Sequence, residues 1–144
     1  MMVRPERARL VGRLALSTIL LVAGIGHFRS TAEFTAQVPP WMPAPEVVVY
    51  VSGVVELALG TALLMLTRHR VLVGWIVAAF FVVIFPGNIS QFLTRTDAFG
   101  LDSDAARFVR LLFQPALVWL ALWSTGAWQA FRDRRARSSM ERVG

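Results

Sequence analysis

The stretch VVVYVSGVVELALGTALLML, residues 47–66, carries a single formal charge, that of Glu56. A carboxylate in so apolar a run is costly without a partner, and that cost makes it informative. His27 in AGIGHF, Asn88 and Gln91 in FPGNISQF, and Arg110 and Gln114 in RLLFQP stand in comparable settings. An imidazole and a carboxylate exchange protons, so Glu56 and His27 are the candidate acid/base residues. Arginine and side-chain amides donate N–H groups to carbonyl oxygens. Glu56, His27, Asn88, Gln91, Arg110 and Gln114 together therefore form the candidate ligand-binding set.

Other chemistries find no footing. The chain has no cysteine, which removes disulfides, thiolate metal sites and thiol redox chemistry by this chain itself. Its two histidines, His27 and His69, fall on opposite sides of the expected membrane and share no metal ion. No metal-ligand spacing, phosphate loop or nucleophile motif is present.

The elements that must position these residues are apolar helices. Of 144 residues, 56% are hydrophobic, and mean hydropathy is +0.56. The apolar residues are blocked into four runs, about 10–28, 47–66, 71–89 and 108–128. Each reaches the roughly 20 residues a helix needs to cross a bilayer core of about 30 Å. A soluble four-helix bundle needs a polar face on every helix, and VLVGWIVAAFFVVIF offers none. The fold class read from the sequence is therefore all-α, an integral membrane four-helix bundle. It forms one domain, with a short segment 1–9 before the first span and a basic tail at 129–144.

All 15 basic residues are arginine, and their placement sets the orientation. Arg4, Arg7, Arg9, Arg13, Arg68, Arg70, Arg132, Arg134, Arg135, Arg137 and Arg142 fall on one side, eleven in all. Arg29, Arg95, Arg107 and Arg110 fall on the other. The positive-inside rule then puts both termini in the cytoplasm. A basic tail of this kind lies near anionic lipid, and nucleic acid is not the expected partner.

With that orientation a rise of about 1.5 Å per residue puts Glu56 roughly 13 Å below the outer edge. His27, Asn88, Gln91, Arg110 and Gln114 all fall in the outer half. Helical side chains lean toward their own N-terminus, so His27 and Asn88 lean inward and Glu56 outward. Ser52, Gly53, Glu56 and Gly60 share one stripe, and Ser17, Gly24 and His27 another, as in close helix packing. Pro86 and Pro115 free backbone carbonyls in the same half. The outer connection containing VPPWMPAPE excludes a long helix, and Asp102 or Ser103 is the expected cap of the fourth span. Glu33 and the loop aspartates read as surface charges, and Phe80, Phe81 and Phe85 as packing.

AGIGHF, VPPWMP, YVSGVVELALG, FPGNISQF and RLLFQP, in this order and spacing, resemble the DoxX family of small bacterial membrane proteins. The resemblance spans about residues 10–128. It implies a multi-pass protein of the bacterial cytoplasmic membrane, and a link to quinone-dependent or oxidative-stress redox functions with a redox protein partner. It carries over His27, Glu56, Asn88, Arg110 and Gln114 as recurring polar positions. The leading expectation is a membrane subunit with a polar pocket in its outer half that holds a quinone or a similar apolar, oxygen-bearing molecule. The alternatives are a structural or assembly protein in which Glu56 is a packing node, and a lipid-acting isomerase-type enzyme. Whether the chain is catalytic stays open, as does its oligomeric state.

Overall fold

The computed structural model describes residues 5–141. Arg4 and Arg142, which enter the charge count above, lie outside the described residues. The chain forms α1 (Pro5–Arg29), a short α2 (Thr31–Thr35), α3 (Pro45–Met65), α4 (Arg70–Thr94), α5 (Asp104–Ser124) and α6 (Ala127–Glu141). One turn of 3-10 helix, Thr67–His69, links α3 to α4, and no strand occurs among the described residues. Helices α1, α3, α4 and α5 are long and apolar enough to cross a membrane. The shortest of these have 21 residues, about 32 Å at 1.5 Å per residue.

Four boundaries, on three helices, differ from those expected. The first helix begins at Pro5, because Pro suits a helix start and the Arg-rich turns that follow propagate a helix well. The third runs five residues past Ile89 to Thr94 and ends where Arg95 turns left-handed, with φ of 53°. The fourth starts at Asp104, where Ser103 accepts a hydrogen bond from the Ala106 amide at 3.2 Å. It does not run unbroken to residue 128. Gly126, with φ of 76°, ends it, and the basic tail continues as a further helix, α6.

The bundle is built from two consecutive hairpins, α1 with α3 and α4 with α5. Small residues bring α1 and α3 together. A Cβ on Gly24 would sit 3.0 Å from the Gly53 carbonyl, and one on Gly60 would sit 3.2 Å from the Ser17 carbonyl. The Ser17 hydroxyl donates to the Gly60 carbonyl at 2.7 Å, locking the register of the pair. Gly74 does the same service for α4, where a Cβ would stand 2.7 Å from that of Thr125.

The two ends of the bundle are filled differently. Toward α6 the centre is a packed cluster that includes Leu16, Leu20, Leu63, Val77, Phe81 and Ala121. Toward α2 the centre is polar.

Candidate functional site

A cavity of about 310 Å³ lies between the hairpins at the α2 end. It is at the low end of the range for small-molecule sites, the size of one ring-bearing headgroup rather than a long molecule. Its walls are mostly apolar, and its polar groups come from both hairpins and the connection between α2 and α3. Of the six candidates, Glu56, His27, Asn88, Arg110 and Gln114 line it.

The first hairpin supplies the His27–Glu56 pair. His27 Nδ1 lies 2.8 Å from the Ala23 carbonyl and 3.2 Å from Glu56 Oε2. A carbonyl only accepts, so Nδ1 carries the hydrogen and directs it along its own helix. Glu56 Oε2 then gains proximity to that N–H without an aligned hydrogen bond. It has no other hydrogen-bond partner among the described residues. Both side chains are under a tenth exposed, 8% and 6%. Gly53 makes the approach possible, since a Cβ there would stand 2.8 Å from that of His27.

The second hairpin supplies a directional relay. Arg110 Nε donates to Asn88 Oδ1 at 3.1 Å, and Asn88 Nδ2 donates to Gln114 Oε1 at 2.9 Å. Gln114 Nε2 donates to the Phe81 carbonyl at 2.6 Å. A guanidinium that only donates stands at one end and a carbonyl that only accepts at the other, so both amide orientations are fixed. Arg110 also donates from its terminal nitrogen to Gln37 Oε1 at 2.7 Å. Gln37 lines the cavity, is buried, and its Nε2 has no partner among the described residues. Two residues of the lining thus carry unmet demands of opposite sense: an acceptor on Glu56 and a donor on Gln37. Leaving a buried polar group unpaired costs about 1–3 kcal/mol, so a ligand meeting both recovers that cost.

A polar and aromatic roof covers the α2 end. Phe34 stacks on His27 with centroids 3.7 Å apart, and Phe99 meets Phe34 edge-on at 4.7 Å. The Arg110 guanidinium sits over the Phe99 ring at 5.6 Å. Glu33 accepts from the Phe99 amide at 2.7 Å, tying α2 to the loop between α4 and α5. That loop is clamped by buried Arg107, which pairs with Asp97, with Asp104 at 2.9 Å, and with the Thr96 carbonyl at 3.4 Å.

Gln91 stands apart from the other candidates. It is 1% exposed, but it does not line the cavity. Because α4 continues to Thr94, Gln91 lies a turn nearer the loop than Asn88, where its Nε2 donates to the Thr96 carbonyl at 3.3 Å. Sequence reasoning did not find Gln37 or the inward course of Arg107. Gln37 sits in an irregular connection, where no helical period assigns depth; its only mark is an amide between Ala36 and Val38 ahead of two prolines. For Arg107 the signal was Asp104, three residues earlier on the same helix. Glu33 and Asp97, expected as plain surface charges, tie the loops together, as does Asp104 at the start of α5.

Among curated proteins and among solved structures, none matches this chain. The family described as "Domain of unknown function (DUF8561)" matches residues 16–125, which takes in most of α1 and all of α3, α4 and α5; the chain belongs to that family.

Proposed function

We propose that the chain is a multi-pass membrane protein that binds a small, largely apolar molecule bearing oxygen functions, of which a quinone headgroup is the leading example. The observation that carries this reading is the paired demand of two cavity-lining residues: an unpartnered Glu56 oxygen and an unpartnered Gln37 N–H, in mostly apolar walls. In the quinol form a hydroxyl of the ligand would donate to Glu56, and a ring oxygen, the carbonyl of the quinone form included, would accept from Gln37 or Arg110. The asymmetric arginine distribution supports placing the α6 end in the cytoplasm and the cavity in the outer half. The resemblance to the DoxX family supports a bacterial cytoplasmic membrane and a redox setting. Interconversion of a quinone and its quinol moves two electrons and two protons; Glu56 and His27 are placed to handle a proton, and a redox protein partner would exchange the electrons.

The test is calorimetric titration of the purified protein with the quinol form of a tail-less dimethoxybenzoquinone, whose hydroxyls can donate to Glu56. Saturable binding by the wild type that weakens about ten-fold in Glu56→Gln, equivalent to about 1.4 kcal/mol, is the expected result. No binding, or equal binding by wild type and variant, overturns it. One observation favours the rival reading of a packing node. The relay from Arg110 to the Phe81 carbonyl is satisfied without any ligand. That reading expects Gln114→Leu to loosen the bundle and no small molecule to bind.

A further inference from the structure

We propose that the cavity opens sideways between α3 and α4, and that its ligand is a tailed lipid whose apolar chain leaves through that gap. The polar head would sit between Glu56 and Gln37. This rests on the ligand-binding reading above and adds to it the class of molecule and the route by which it arrives.

The remaining faces of the cavity are closed. Toward α2, Phe34 covers His27, Phe99 abuts Phe34, and Pro39 is buried. Toward α6, Leu20 and Phe81 are 1% and 3% exposed and belong to the packed cluster. Gly24 and Gly53 weld α1 to α3, and the Gln114 bond to the Phe81 carbonyl holds α5 to α4. Two seams between the hairpins are left. Toward α6, α1 is pinned to α5 where Gly12 abuts Trp123 and to α6 where Arg9 donates to Gln129 at 2.7 Å. Helices α3 and α4, although joined by a single short turn, touch little.

Exposure separates the two seams. Val48 and Ser52 of α3 and Val83 and Gly87 of α4 line the cavity. Val83 is at the same time 74% exposed, whereas Ile19, the exposed liner on α1, is 42% exposed. A residue that both borders a cavity and stands this far out on an apolar surface marks an opening toward hydrocarbon. The rim of valines offers a tail no gain over lipid, since lipid chains are as apolar as the side chains they would touch. The gap therefore admits the tail, and the polar head supplies the affinity.

The experiment uses the full chain in lipid nanodiscs and two probes, both in the quinol form: dimethoxybenzoquinone without a tail, and the same headgroup carrying a decyl tail. In Val83→Trp the affinity for the tailed probe, taken relative to the tail-less one, is expected to fall about ten-fold. An unchanged ratio, or exclusion of the tailed probe by the wild type, overturns the side opening while leaving the headgroup site standing. Failure of both probes to bind the wild type removes the ligand-binding reading and this inference together. A second measurement needs no substitution. With a diazirine at the tail end, photolysis should label the segments around Val48, Ser52 and Val83. Label on Ile19 and Leu117, or on Phe34 and Phe99, overturns the proposal.

Discussion

The two ends of the bundle use the same four helices for opposite ends. Toward α6, Leu16, Leu63, Val77 and Ala121 fill the centre at 0–2% exposure, and the fully buried polar side chains among them are the small ones of Ser17, Ser124 and Thr125. Toward α2 the helices carry His27, Glu56, Asn88, Arg110 and Gln114 around a cavity. The difference teaches where stability and specificity reside. The dry end needs only volume matching, which many apolar combinations satisfy. At the polar end each group must find a partner of the right sense, so most single changes there strand another group.

Substitutions at the two ends sharpen that division. Leu63→Ala should have the largest effect on stability, a loss of about 2–5 kcal/mol from lost packing and a residual cavity. Thermal unfolding in detergent checks it, and affinity for the tail-less quinol should stay as in the wild type below the transition. Next comes Gln114→Leu, which strands the Asn88 amide and the Phe81 carbonyl. A loss of about 1–3 kcal/mol is expected, together with loss of binding. An equal stability loss with binding intact would show that the relay packs helices and does not shape the cavity. Ser103→Ala removes the cap of α5 and should cost about 0.5–2 kcal/mol, read as faster amide exchange over residues 104–108. The smallest stability effect belongs to Glu56→Gln. Oε2 has no hydrogen bond among the described residues to lose, so unfolding should shift little while quinol binding weakens. A large destabilisation by Glu56→Gln would erase the division between the two ends.

How much of this was legible in the sequence follows from which rules act over short distances. Four apolar helices could be read because bilayer thickness imposes a length and the runs meet it. The Gly24 and Gly53 faces could be read because small residues at helical spacing mean close approach. The depth estimate grouped five residues that now line one cavity, because rise per residue is nearly constant. It also included Gln91, since rise alone does not distinguish a side chain facing the cavity from one that caps the end of its own helix. Gln37 escaped for the complementary reason: its connection has no period. The helical course of α6 was hidden because an Arg-rich tail has good helix propensity but no apolar stripe to announce it.

The division of polar partners between the hairpins has a consequence for biogenesis. His27 and Glu56 meet within the first hairpin, and Asn88, Arg110, Gln114 and the Phe81 carbonyl within the second. Each pair of helices can therefore leave the translocation machinery with most of its hydrogen-bonding groups already matched. Only the bonds from Arg110 to Gln37 and from the Phe99 amide to Glu33, among those described around the cavity, wait for the halves to dock. A chain severed in the Thr67–His69 turn should accordingly insert as two fragments and reassemble in the membrane, as co-purification of the two pieces would show.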